Sequence, residues 1–157
     1  MRKILFATFL LAALVTTEAA VVRLAPEVTF SSAGRKTNLK SLRGQPVVLV
    51  IAKSPGTWAF KDQVKLLKEI YQQFANKQVI FIAAFTAEQG PVKSDIPFIL
   101  ADNGGAVASA YGVQDKFNIV IIGKDGNVDY QTSKVLPPER VRDVIQNSFA
   151  VQANTGR

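Results

Sequence analysis

The chain contains no cysteine and no histidine in 157 residues, and each absence removes a class of chemistry. Without a thiolate there is no disulfide exchange, no thiol peroxidase cycle and no thiolate-bound zinc. Without imidazole there is no serine–histidine or cysteine–histidine pair, no imidazole metal cage and no histidine-ligated haem. What remains for acid and base work is twelve carboxylates, three tyrosines and the lysines, and none of these falls in a spacing that identifies a catalytic set. Asp95 and the run Asp102-Asn103-Gly104-Gly105 lack the spacing of a calcium-binding loop and read as turn and cap chemistry, while Asp125 reads as a hairpin turn residue. No metal and no other cofactor is assigned.

With 48% apolar residues the chain can bury one core of ordinary size, and neither an internal repeat nor a second domain is visible. Residues 1–20 read as a secretory signal: Arg2 and Lys3 form a basic start, Ile4 to Val15 an apolar run, and Thr17-Glu18-Ala19-Ala20 a small-residue exit cleaved after Ala19 or Ala20. The alternative is an uncleaved N-terminal anchor, against which stands a run shorter than the roughly twenty residues that span a bilayer. The expected division is a signal over 1–20, one domain over 21–151 and a frayed tail over 152–157. The mature part therefore carries no membrane span and is expected in the periplasm or outside the cell, where it must be stable without a disulfide.

The formal charge of +7 becomes +6 once the two cations and one anion of the leader are removed. Its cations, among them Arg23, Arg35, Lys36, Lys40, Arg43, Lys61, Lys65 and Lys68, are spread along the chain rather than interleaved with aromatics in a block. This excludes nucleic acid as the expected partner and leaves a solvated basic surface able to make weak contact with anionic lipid or wall polymer.

Hydrophobic periodicity then orders the elements. Val28–Ser31 and Arg35–Asn38 around Ala33-Gly34 predict a small hairpin, and Val47 to Ala52 is a continuous β-branched run of the kind buried on both faces of a sheet. After the turn Ser54-Pro55-Gly56-Thr57, with Thr57 as the expected N-cap, Phe60, Val64, Leu67, Tyr71 and Phe74 step by four and three and predict an amphipathic helix ending near Asn76. Val79 to Phe85 predicts a parallel partner strand, Gly90-Pro91 an irregular segment, Pro97 to Leu100 a short extended piece and Gly105 to Tyr111 a short helix. Asn118–Ile122 and Asn127–Gln131 flank the turn Gly123-Lys124-Asp125-Gly126, and Pro138 opens a last helix with Val141, Val144, Ile145 and Phe149 as its apolar face.

In their order and spacing, Ala25-Pro26-Glu27-Val28-Thr29-Phe30, Asn38-Leu39-Lys40-Ser41-Leu42-Arg43-Gly44-Gln45-Pro46-Val47-Val48-Leu49-Val50, Ala110-Tyr111-Gly112-Val113 and Ile121-Ile122-Gly123-Lys124-Asp125-Gly126 resemble the redoxin branch of the thioredoxin superfamily, the branch of alkyl hydroperoxide reductases and thiol-specific antioxidants. The resemblance covers Pro26 to Phe149. It implies a thioredoxin-like α/β fold with a central mixed β-sheet flanked by helices and an N-terminal β-hairpin.

The same resemblance locates the family's active-site positions. The peroxiredoxin pattern of Thr, two residues and the peroxidatic Cys falls on Thr57-Trp58-Ala59-Phe60, so the threonine is kept and Phe60 stands at the nucleophile. Aligned to a thioredoxin CxxC, the cysteines fall on Gly56 and Ala59. The family's second position, an Arg in peroxiredoxins or a cis-Pro in thioredoxins, is Phe117. The peroxiredoxin proline four residues before the Thr is Lys53, with Pro55 displaced by two. No catalytic residue is assigned.

Two readings of these positions stay open. Phe60 belongs to the helix stripe and can be core, or Phe60, Phe117 and Trp58 can line an apolar binding patch where a thiol site would stand, with Lys53 at its edge. Lys53 reads as a solvated loop lysine or, if desolvated, as a base or nucleophile. The expected function is an exported, redox-inactive binding or interaction module whose partner is an envelope protein or peptide. Its alternatives are an antioxidant oxidoreductase using a partner's thiol or an unrecognised side chain, and a structural envelope component.

Overall fold

A computed structural model describes residues 23–155 apart from 33, 75–77 and 115, and for 150–155 the backbone alone. The signal expected over 1–20 lies outside the described residues. The predicted hairpin forms from β1 (Thr29–Ser32) and β2 (Arg35–Asn38), antiparallel with Phe30 opposite Thr37. A 3-10 turn over Leu39–Leu42 leads to β3 (Val47–Ala52), all six residues of which are buried. Helix α1 (Trp58–Phe74) and β4 (Ile80–Phe85) complete the expected strand, helix and parallel strand, with Val47 level with Ile80. Then come β5 (Ile99–Leu100), α2 (Gly104–Ala110), β6 (Phe117–Ile122), β7 (Val128–Thr132) and α3 (Pro138–Thr155). Residues 152–155, expected as a frayed tail, continue α3.

The main sheet has five strands in the order β5-β4-β3-β6-β7, parallel between β3 and β4 and antiparallel between β3 and β6. Strand alternation divides the core in two. Val48, Val50 and Ala52 face a cluster with Phe60, Leu67 and Ile70 of α1 and Val141 and Ile145 of α3. Val47, Leu49 and Ile51 face the other cluster, with Phe30 of the hairpin and Val107, Ala108 and Tyr111 at α2. The hairpin between β6 and β7 turns as expected: Gly126 has φ 83°, its N–H donates to Gly123 O at 3.0 Å, and Asp125 Oδ1 accepts the Asn127 N–H.

Helix α1 corrects the predicted stripe. Its buried side chains are Phe60, Gln63, Leu67, Ile70 and Phe74, whereas Val64 and Tyr71 are only half-buried. The helix is therefore rotated toward Gln63, a polar residue that apolar periodicity does not count. Its amide is fully engaged: Nε2 donates to Leu136 O at 3.1 Å and Oε1 accepts the Leu136 N–H at 2.7 Å.

Candidate functional site

The segment joining β3 to α1 is built on backbone hydrogen bonds. Lys53 O accepts from Ala87 N–H and Glu88 N–H at 3.0 and 3.1 Å, which ties the end of β3 to the segment leaving β4. Thr57 stands immediately before α1, and its carbonyl accepts the Lys61 N–H at 3.0 Å. Its hydroxyl turns back rather than forward: Thr57 Oγ1 accepts the Ser54 N–H at 3.2 Å and lies 3.4 Å from Ser54 Oγ. Thr57 thus stands at the expected N-cap position, with its hydroxyl engaged by the turn it ends.

The aromatic residues separate. Phe60 is 2% exposed, with its ring edge-on to Phe85 at 5.0 Å and tilted against Phe98 at 6.0 Å. Phe117 is 4% exposed and, as the first residue of β6, sits level with Ala52 at the end of β3. Both belong to the core cluster between the sheet and the helices α1 and α3. Trp58, by contrast, is 74% exposed at the first position of α1. An apolar patch made jointly by these three residues is therefore not what the fold presents, because burial of apolar surface takes Phe60 and Phe117 into the core and leaves Trp58 outside alone.

Lys53 is exposed, Gly56 is exposed and Ala59 is half-buried, so the positions aligned to a CxxC pair carry a hydrogen and a methyl group at the surface end of the helix. Asp95 pairs with Lys68, and Asp102 Oδ1 accepts from Ser31 Oγ at 3.1 Å, so the two carboxylates serve different contacts. The Lys68 ammonium holds the exposed Asp95 carboxyl below its usual value, chiefly by hydrogen bonding. Among the described residues no helix is long and apolar enough to cross a membrane, and no group of three metal-ligating acids, histidines or cysteines occurs.

Sequence reasoning missed an open groove of about 860 Å³ beside α1. One wall is the N-terminal half of α1, with the half-buried Val64 at the floor above the core that holds Phe60 and the exposed Lys61, Lys65 and Lys68 along the rim; the other is the segment from Pro91 to Asp95, with Val92 and Lys93. At its end lie Pro55 and Gly56, and Gly90 lies so close to Pro55 that a Cβ there would come within 3.2 Å of Pro55 Cγ. The sequence signal was available: the lysines read as dispersed cations recur at i, i+4 and i+7 of one helix. Their convergence with Lys93 depends on the 91–95 segment, which carries no periodicity.

None of the aligned positions Gly56, Ala59, Phe60 and Phe117 carries a thiol. Among solved structures, a protein assigned as the thiol:disulfide interchange protein DsbE of Chlorobium tepidum superposes with a TM-score of 0.69 at 16% identity, covering 81% of this chain and 96% of that one. A thiol:disulfide interchange protein from Bacteroides sp. gives 0.64 at 17% identity over 80% and 88%. The peroxidoxin BcpB of Mycobacterium tuberculosis gives 0.59 at 16% identity over 83% and 96%. At these identities the likeness establishes the fold, which is thioredoxin-like. No curated protein matches the chain. Residues 21–131 match the AhpC/TSA family, and with that match spanning most of its length the chain belongs to the AhpC/TSA family of redoxin domains, as a member without cysteine.

Proposed function

We propose that this protein is an exported, redox-inactive binding module built on the redoxin fold. One observation carries the reading: Phe60, at the position aligned to the peroxidatic nucleophile, is a buried core side chain packed on Phe85 and Phe98. A residue that stabilises the fold has replaced one that would react, and burying a phenylalanine contributes about 2–3 kcal/mol. The other aligned positions, Gly56, Ala59 and Phe117, carry no ionisable or nucleophilic group. Thiol–disulfide exchange and the thiol-based peroxide reduction of this family both proceed through a cysteine thiolate, which the chain does not supply. What the domain retains at that end is the exposed Trp58 and an open groove, the kind of surface on which a partner docks.

The partner is an envelope protein or peptide. Capture from envelope extract by the immobilised protein, competed by the free protein and abolished by Trp58→Ala, is the expected result. Since Trp58 is exposed, that variant keeps its fold, and the absence of any competed partner overturns the reading. Export rests on the pattern of residues 1–20. Intact mass of the protein recovered from its native envelope is expected to show a chain beginning at Ala20 or Val21, and an uncleaved chain in the membrane fraction contradicts it.

A further inference from the structure

We propose that the groove beside α1 is a docking site for an acidic segment of a partner protein, bound in extended form with apolar side chains between its carboxylates. The proposal rests on the binding-module reading and gives that module a site and a partner chemistry. The groove lining holds four ammonium groups, on Lys61, Lys65, Lys68 and Lys93, against the single carboxylate of Asp95, which Lys68 already holds. Among the described residues, Lys61, Lys65 and Lys93 form no ion pair. A concave surface lined by charge of one sign concentrates its field and draws in the opposite sign.

The fold also demonstrates the contact. Asp95, on the irregular segment forming one wall, reaches across to Lys68 of α1 and makes the carboxylate–ammonium pair that a ligand would make at Lys61 and Lys65. The spacing suits a chain lying along the helix. Four helical residues separate Lys61 from Lys65 by about 6 Å along the axis, and alternate residues of an extended chain lie about 6.6 Å apart. Carboxylates at alternate positions meet the two lysines, and the side chains between them turn to the floor, where Val64 and Val92 are half-buried. That floor selects among anions. A small inorganic anion leaves it uncovered, and a flat anionic bilayer meets the rim without entering the groove.

The test is calorimetric titration of the purified protein at low ionic strength with a short, end-blocked peptide of alternating glutamate and leucine. Saturable binding is expected, with none for the peptide in which glutamine replaces glutamate. Lys61→Glu with Lys65→Glu, both exposed, is expected to weaken binding by about tenfold or more. Arg35→Glu with Lys36→Glu, the same charge change on the exposed strand β2, is expected to alter it by less than about twofold. No saturable binding, or equal loss in the two double variants, overturns the site in favour of no ligand or of net charge alone. Uptake by phosphatidylglycerol vesicles that depends on Lys61 and Lys65, without peptide binding, assigns the lysines to a membrane and likewise overturns it. A protein that binds the peptide but turns over peroxide overturns the redox-inactive reading and leaves the site standing.

Discussion

Gln63 and Leu136 exchange two hydrogen bonds across the junction of α1 with the segment entering α3, the side-chain amide standing in for a strand neighbour. Gln63 is fully buried, so the bonds have no water to replace them. Gln63→Leu is expected to destabilise the fold by about 3 kcal/mol, because it leaves a buried N–H and a buried C=O unpaired. Lys61→Ala, two residues earlier on the same helix and exposed, is expected to stay within about 0.5 kcal/mol. Denaturant unfolding of the two variants checks both; equal stabilities contradict the role given to the amide.

Gly104 and Gly105 are adjacent in sequence and opposite in consequence. A Cβ on Gly104 would lie 2.0 Å from the backbone oxygen of Phe85, whereas one on Gly105 would meet Asn103 Oδ1 at 3.6 Å. Gly104→Ala is therefore expected to cost several kcal/mol or prevent folding, by forcing α2 off the end of β4, where no flexible side chain can yield. Gly105→Ala, exposed in a helix, is expected to be neutral or stabilising by up to about 1 kcal/mol. Soluble yield and thermal unfolding distinguish them.

Tyr111 donates its hydroxyl to Pro26 O at 2.8 Å, and burial pushes its phenol above the usual value. Tyr111→Phe is expected to cost about 1 kcal/mol at neutral pH. The folded value lies above the unfolded one, so this contribution is whole below about pH 10, where the unfolded phenol titrates, and declines as pH rises further. The stability difference between wild type and Tyr111→Phe should shrink accordingly between about pH 10 and 12. A constant difference across that range would show that the phenol is solvated in the folded protein.

Single-cysteine variants report which family position is open. Phe60→Cys is expected to give a thiol that alkylates slowly, because the site is enclosed by Phe85 and Phe98, and to cost about 3 kcal/mol for the cavity left behind. Gly56→Cys is expected to alkylate at the rate of a free thiol, since Gly56 is exposed and a Cβ there meets only Ser54 Oγ at 3.6 Å. Rates against pH in folded protein decide it; rapid modification of Phe60→Cys would falsify the placement of Phe60 in the core.

Much of this architecture was legible because burial writes itself into residue type. The β-branched run Val47–Ala52 and the Asp125-Gly126 turn each read correctly, since a strand buried on both faces and a positive-φ turn admit few alternatives. Phe60, Leu67 and Phe74 of the α1 stripe read correctly, while burial falls on Gln63 and Ile70 in place of Val64 and Tyr71; Gln63, polar in sequence, becomes a core residue only once Leu136 is brought to it from 73 positions away. The division of the aromatics was left open by the sequence, with Phe60 either in the core or in a patch with Trp58 and Phe117; helix rotation and strand pairing take Phe60 and Phe117 into the core and leave Trp58 outside. The groove was less legible still, since its second wall is the non-periodic segment from Pro91 to Asp95.

The redox-inactive role is tested most directly by peroxide-dependent NADPH oxidation by the purified protein in the presence of thioredoxin, thioredoxin reductase and, in parallel, glutathione with its reductase. Without a sulfur nucleophile in the chain, and with Phe60 buried at the aligned position, the rate is expected to equal that of the protein-free control in both systems. A rate above that control, proportional to protein and lost when the protein is removed by immunodepletion, would contradict it and return the domain to the antioxidant enzymes.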